Sequence, residues 1–109
     1  MAEKNLEISV LCDIYAPLLP DKQRMALEYY YDEDLSLAEI AEHAGISRQG
    51  VRDQIKHAEN QLIYYEDALG LYEKSKKTDE IINKLEKIAH ELDSKPILGL
   101  AEQLRKLYE

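Results

Sequence analysis

The apolar side chains of this chain recur three and four residues apart along most of its length. The first stripe consists of Ile8, Leu11, Tyr15 and Leu18. It predicts a helix that ends near Pro17 and Pro20, because proline interrupts helical hydrogen bonding. A second helix is predicted to begin at a cap formed by Asp21 and to stop at the acidic residues 32–34. No alternating run of β-branched residues occurs, so the pattern predicts no sheet.

The next segment has the pattern of two short helices joined by a tight turn. Ser36 and Glu39 match a capping box, in which each residue binds the backbone amide of the other. Gly45 follows the first helix, where a tight turn requires a positive φ. Ile46 is expected to enter the core, and Ser47 is placed to cap the second helix. This combination predicts a helix-turn-helix motif.

A heptad-like seam continues from the second helix of the motif. Its members are Val51, Ile55, Ala58, Leu62, Tyr65, Leu69 and Tyr72. The spacing predicts one helix from residue 47 to the mid-seventies, on the order of 40 Å long, with Gly70 weakening its last turns. Residues 74–77 then predict a polar hinge, and Thr78 the cap of a further helix.

Two further stripes complete the chain on either side of a break at residues 94–96. They are Ile81, Leu85, Ile88 and Leu92, then Ile97, Leu100, Leu104 and Leu107. The sequence therefore predicts an all-α protein, with a helix-turn-helix domain at residues 1–62 and a helical extension at 63–109. Because so small a domain has little core to cover these stripes, a homodimer is predicted.

The composition of the chain limits the classes of protein to which it can belong. The 109 residues carry a net charge of −8, and 45% of them are hydrophobic, which can support a folded core. No apolar run is long enough to insert into a membrane, and the first residues lack the pattern of a secretory signal, so a cytoplasmic location is expected. Residues 1–46 hold 3 basic and 10 acidic side chains. Any contact with nucleic acid is therefore expected to be local and weak.

One helix face carries the chemistry that DNA recognition needs. Arg48, Arg52 and Lys56 follow one another at intervals of four in the second motif helix, and Gln49 lies beside the first of them. In the major groove, arginine can pair with guanine and glutamine with adenine. Ser47 and the free amides at the helix start can meet a phosphate. These five residues form the predicted DNA-binding site.

Two features remain open to a different interpretation. The basic face can simply be solvated, with Asp53 and Glu59 neutralising part of its charge. The tyrosines at 29–31 can stack on bases, but consecutive helix positions point in three directions, which favours packing.

The sequence predicts no catalytic, cofactor or metal site. Cys12 lies on an apolar stripe with no histidine near it in the chain, which favours a buried structural thiol. His43, His57 and His90 have no metal-ligand spacing. No catalytic carboxylate pair stands out among the acidic side chains, so the chain is not predicted to be an enzyme.

Several motifs of the chain resemble those of known proteins. Residues 36–62, and Leu19 to Arg24 upstream, resemble the fourth-region helix-turn-helix of bacterial sigma factors. The chain is more similar still to the YlxM family of small bacterial helix-turn-helix proteins. The residues that carry this resemblance are Tyr15-Ala16-Pro17-Leu18-Leu19, Asp21-Lys22-Gln23, Tyr29-Tyr30-Tyr31, Leu35-Ser36-Leu37-Ala38-Glu39-Ile40-Ala41-Glu42, Ser47-Arg48-Gln49-Gly50-Val51, Asp53 and Ile55-Lys56.

The resemblance implies a three-helical, winged-helix-like core similar to sigma region 4, and a DNA-binding regulatory protein. Genes of the YlxM family commonly neighbour those of the signal recognition particle, which implies a role, and partners, in that protein-targeting pathway. The alternative is a protein- or RNA-interaction module of the same pathway that does not bind DNA. Gly50 departs from the family pattern, in which an alanine-like residue is usual.

Overall fold

The computed structural model describes residues 6–107 and folds them almost entirely into helices. They are α1 (Leu6–Tyr15), a 3-10 turn (Ala16–Leu18), α2 (Asp21–Tyr31), α3 (Leu37–Ala44), α4 (Arg48–Leu69), α5 (Leu71–Glu91) and α6 (Lys95–Lys106). No strand occurs in the described part of the chain, and the predicted all-α class is confirmed. The chain forms two compact units, Met1–Gly70 and Leu71–Glu109.

The core of the N-terminal unit is built around α4, which packs against α1, α2 and α3. Val51, Ile55, Ala58 and Leu62 of α4 are all fully buried. The four-three spacing of the seam thus marks the helix face that the other three helices cover. Beyond Leu62 the seam comes to the surface, and Leu69 is 47% exposed.

The local chemistry of the motif follows the sequence closely. The Ser36 amide donates to Glu39 Oε1 at 3.1 Å, and the Glu39 amide donates to Ser36 Oγ at 3.1 Å, which completes the capping box. Hydrogen bonds from Ser36 lower the pKa of the Glu39 carboxyl, and the bond from the Ser36 backbone amide has the largest effect. Gly45 has a φ of +70° and ends α3. The predicted turn and its caps are confirmed.

Two details of this region were predicted wrongly. Ile46 is 39% exposed and lies at the surface instead of entering the core. Its amide donates to the Ala41 carbonyl, which holds the turn close to α3. The residue before α2 is Pro20, and Asp21 is the first residue of that helix instead of its cap. A carboxylate in the first turn still interacts favourably with the helix dipole.

The single helix predicted from residue 47 to the mid-seventies is interrupted. α4 ends at Leu69, because Gly70 adopts a φ of +63° and donates its amide to the Glu66 carbonyl at 2.8 Å. This left-handed cap is the usual way for a glycine to end a helix. α5 then begins at Leu71, the residue immediately after the cap.

The predicted hinge at residues 74–77 is helical, and it lies inside α5. Glu73 pairs with Lys76 at 3.4 Å and with Lys77 at 3.8 Å, the spacings at which opposite charges support a helix. Thr78 therefore caps no helix, and its hydroxyl donates to the Lys74 carbonyl one turn earlier. A polar, lysine-rich segment is fully compatible with a solvated helix.

The C-terminal unit is a hairpin of α5 and α6 joined at Leu92–Ser94. Ile82, Ala89 and Ala101 are the side chains buried where the two helices meet. Arg105 of α6 also binds α5. Its Nη2 donates to Glu86 Oε1 at 2.5 Å and to Asn83 Oδ1 at 2.9 Å. The two apolar stripes of α5 and α6 remain largely at the surface, because the small alanines let the helices approach along an adjacent face.

Two substitutions should distinguish a glycine that its backbone conformation requires from a glycine that alanine can replace. We expect Gly45→Ala to lower the free energy of unfolding by about 1–2 kcal/mol, because a side chain is strained at positive φ. Gly99→Ala is the matched control. Gly99 lies inside α6, and an added Cβ would meet nothing within 4 Å. That change should stabilise its helix by about 0.5–1 kcal/mol. Urea denaturation measures both, and an unchanged Gly45→Ala midpoint would contradict the turn.

Cys12 should be unreactive until the N-terminal unit unfolds. Its side chain is 2% exposed, and burial, followed by the charges of Asp32, Glu28 and Asp13, raises its pKa to about 12. Since the thiolate is the nucleophile, alkylation by iodoacetamide at pH 8 should be very slow. It should become rapid in urea, as mass spectrometry can follow. Rapid alkylation of the native protein would contradict the buried placement.

Candidate nucleic-acid interface

The first turns of α3 and α4 open into one surface cleft of about 790 Å³. Its lining comes from both helices of the motif and consists of Ser36, Leu37, Ala38, Ser47, Arg48, Gln49 and Arg52. Four of the five residues predicted to bind DNA therefore lie together. The fifth, Lys56, is exposed one turn further along α4 and outside the cleft.

Backbone amides give this cleft a positive character in addition to its side chains. Both helices begin at a serine cap, Ser36 for α3 and Ser47 for α4. The amides of a first helical turn, together with the helix dipole, favour an anion. Ser47 Oγ accepts from the Gly50 amide at 3.0 Å, and this contact leaves the hydroxyl proton able to donate to a phosphate oxygen.

The three basic side chains point away from the core of the unit. Val51 and Ile55 face inward on α4, whereas Arg48, Arg52 and Lys56 are exposed. Within residues 6–107, no carboxylate lies within ion-pair distance of these three cations. The charge that a phosphate or a base edge would meet is therefore not neutralised by a described neighbour.

The two carboxylates expected to neutralise the basic face are engaged elsewhere. Asp53 Oδ1 accepts from Gln49 Nε2 at 2.9 Å. Glu59 accepts from the hydroxyl of Tyr31. Gln49 must therefore exchange an intrahelical hydrogen bond for any hydrogen bond to a base, which reduces its net contribution to binding.

The consecutive tyrosines of α2 pack in three directions. Tyr29 stacks on His43 of α3 with 5.6 Å between ring centroids. Tyr30 is buried, and its ring meets that of Tyr31 edge to face. Tyr29 thus joins α2 to α3, and the Tyr31 hydroxyl joins α2 to Glu59 of α4, which agrees with the packing interpretation.

The contribution of α3 to the cleft was missed by the sequence reasoning. Ser36, Leu37 and Ala38 belong to the first motif helix, and no periodic pattern marks them as neighbours of Arg48 or Arg52. The one local signal was the capping box, which fixes where α3 starts. The capping box gives no indication that this start faces the start of α4.

Residues 6–107 hold no group of three or more His, Cys, Asp or Glu side chains arranged to bind a metal ion. None of their helices is both long and apolar enough to cross a bilayer.

The fold and its capped turn define a helix-turn-helix protein. A sequence profile of the family described as "Putative helix-turn-helix protein, YlxM / p13 like" matches residues 2–98. The chain belongs to this family, UPF0122, as its resemblance to YlxM proteins indicated.

Relatives from several bacteria carry the same family name. The UPF0122 protein of Clostridium botulinum strain Alaska E43 is 44% identical over 108 residues, which cover 96% of this chain and 99% of the relative. That of Halalkalibacterium halodurans is 41% identical over 98% of this chain and 99% of its own. The UPF0122 protein of Clostridium kluyveri is 51% identical over 78 residues, 72% of this chain and 70% of the relative.

Proposed function

We propose that this protein is a cytoplasmic, DNA-binding regulator whose motif places the start of α4 in the major groove. One observation carries the proposal, namely the cleft in which two capped helix starts meet Arg48, Gln49 and Arg52. A recognition helix contacts base edges with its first turns. In this proposal residues 1–62 bind DNA through a core of the sigma region 4 type, and residues 63–109 join copies or bind a partner.

The contacts divide according to their distance from the helix start. Arg48 and Arg52 supply donors for guanine, and Gln49 can reach adenine once it leaves Asp53. Ser47 and the neighbouring amides hold a phosphate. Lys56 lies one turn beyond Arg52 and contacts the backbone of the duplex, which fixes register without reading sequence.

The charge of the N-terminal unit sets an upper limit on affinity. Residues 1–70 carry six basic and fourteen acidic side chains. The duplex therefore meets attraction at the cleft and repulsion from the acidic remainder, so that approach is favoured in one orientation. We expect weak binding with a shallow salt slope of about −1, since each neutralised phosphate contributes roughly −0.9 and Lys56 is the cation placed on the backbone.

Titration of the whole protein against fluorescent duplexes tests the proposal. A selection from a random duplex pool at about 50 mM salt supplies the preferred site, and anisotropy then gives the dissociation constant as salt is raised. The proposal expects enrichment of a sequence and retention of duplex at low salt. Absence of any duplex binding at low salt would overturn it.

The resemblance adds a pathway and a second candidate function. We propose that the regulator serves the signal recognition particle pathway. The alternative is a protein- or RNA-interaction module of that pathway. The acidity of residues 1–70, which repels the phosphates of DNA, favours this alternative. Pull-down from cell extract, run beside the duplex titration, distinguishes them. Capture of particle components without duplex binding would support the module.

We further propose that the protein is a homodimer. A dimer presents two motifs to one duplex, and the affinity of the pair then exceeds that of a single weak contact. Binding curves that steepen as protein concentration passes through the dimerisation range would support this arrangement.

A further inference from the structure

One side of the C-terminal hairpin is apolar over both of its helices. The side chains that form this face, named here the hairpin face, are Ile81, Leu85, Ile88 and Leu92 of α5 and its turn, and Ile97, Leu100, Leu104 and Leu107 of α6 and its end. Six of them are 40–75% exposed, whereas Leu85 and Ile97 are partly covered. Together they present roughly 600 Å² of apolar surface, at the upper end of what a monomer leaves uncovered in one patch.

The two apolar stripes lie on the same side of the hairpin. On α5 the stripe is displaced by about a quarter turn from Ile82 and Ala89, which face α6, and on α6 it has the same displacement from Ala101. In an antiparallel pair, equal displacements place both stripes on one side. Arg105, with its partners Asp79 and Glu86, occupies the opposite side.

The hairpin has too little core of its own to explain this face. Its buried apolar side chains, Ile82, Ala89 and Ala101, include two alanines. Two helices in contact along so small a seam are marginal in isolation, because helices gain most of their stability from packing an amphipathic face. A second layer of helices over the hairpin face would provide the missing core.

We infer that a second copy of this hairpin covers the hairpin face, so that two copies form an antiparallel four-helix bundle. This inference rests on the proposed dimer and locates its interface, and it is independent of DNA binding. The four-three spacing on both helices is the spacing that bundle helices use to interlock. A second hairpin supplies helices of matching length and matching spacing.

Side-chain chemistry favours a second copy over a different partner. The hairpin face consists only of leucine and isoleucine, as bundle cores do, whereas surfaces that bind varied partners are enriched in methionine, tyrosine, tryptophan and arginine. Residues 71–109 carry eight basic and eight acidic side chains. Two such units meet without net repulsion, and the hairpin offers no charge excess to attract a strongly acidic or basic partner.

The area of the face is also of the size that a dimer requires. A standard interface buries about 800 Å² on each partner. The apolar surface of the hairpin face supplies most of that amount, and the polar residues along its edges supply the rest. The face therefore accounts for one complete, symmetric contact.

Sedimentation of the full chain tests the inference with two variants and a matched control. Ile88→Lys and Leu104→Lys each place one charge on the hairpin face, and we expect either to weaken self-association about tenfold or more. His90→Lys adds the same charge to an exposed position of α5 outside the face and should leave the dimer intact. Circular dichroism confirms that each variant keeps its helix content.

A second measurement needs no substitution. Hydrogen exchange of the wild-type protein at two concentrations should show slower exchange in α5 and α6 at the higher one. A wild-type protein that is monomeric at about 100 µM would overturn the dimer itself, since a specific interface of this size commonly binds more tightly than that. A dimer that survives both lysine variants would overturn the interface and leave the dimer standing. Neither result depends on whether duplex DNA binds.

Discussion

Replacing Ile55 with alanine should lower the free energy of unfolding of the N-terminal unit by about 2–5 kcal/mol. Ile55 is fully buried in the middle of α4, between Val51 and Ala58, which are also fully buried. The change removes buried methyl and methylene groups and leaves a cavity that three packed helices cannot close. Because whole-domain stability is commonly 5–15 kcal/mol, this is a large share of the total.

Ile63→Ala is the control, since it is the same substitution in the same helix. Ile63 is 45% exposed, so its loss should cost about 1 kcal/mol or less. Urea denaturation followed by circular dichroism gives both values. Equal costs for Ile55→Ala and Ile63→Ala would show that α4 does not bury the face assigned to it.

Removing arginine from the cleft should reduce DNA binding more than removing lysine outside it. Arg48→Ala and Arg52→Ala should each cost about 1–3 kcal/mol on the preferred duplex and relax the preference at one base pair. Lys56→Ala should weaken binding to all sequences alike and make the salt slope shallower by about one unit. The two outcomes differ because base edges carry sequence information and phosphates do not.

The control for these variants is Lys22→Ala. Lys22 is an exposed cation of α2 and lies outside the cleft between α3 and α4. Its removal changes the net charge as much as each arginine variant does, and binding should stay within about twofold of wild type, a difference of under 0.5 kcal/mol. Fluorescence anisotropy on matched and scrambled duplexes reports all four variants. Binding that persists after Arg48, Arg52 and Lys56 are all replaced would mean that α4 is not the recognition helix.

Local chemistry determined how much of the motif could be predicted. The Ser36–Glu39 capping box, the positive φ of Gly45 and the Ser47 cap each depend on residues within four positions of one another. Such features can be read from sequence because the interacting groups are close in the chain. The inward face of α4 could be predicted for the same reason, since the four-three spacing of its apolar residues identifies that face.

Features that depend on competition between elements could not be predicted in this way. Gly70 could weaken a helix or end it, and the apolar spacing that continues past it gave no means of deciding. In α5, Ile81 and Ile82 are adjacent and equally apolar. The choice of Ile82 as the buried one depends on Ala101 and on the ion pairs of Arg105, which lie about twenty residues away. The meeting of two helix starts in one cleft is a long-range outcome of the same kind.

The placement of the aromatic rings gives the molecule a useful optical property. The chain contains eight tyrosines and neither tryptophan nor phenylalanine, and six of the tyrosines lie in residues 1–70. The hydroxyls of Tyr15 and Tyr31 donate to carboxylates of α4, and hydrogen bonding of this kind quenches tyrosine emission. Opening of the N-terminal unit should therefore brighten the fluorescence and also reduce far-ultraviolet ellipticity, whereas unwinding of the hairpin should reduce the ellipticity with little change in fluorescence. In a wild-type sample, a loss of ellipticity at constant fluorescence thus reports the hairpin, and a change in both signals reports the N-terminal unit.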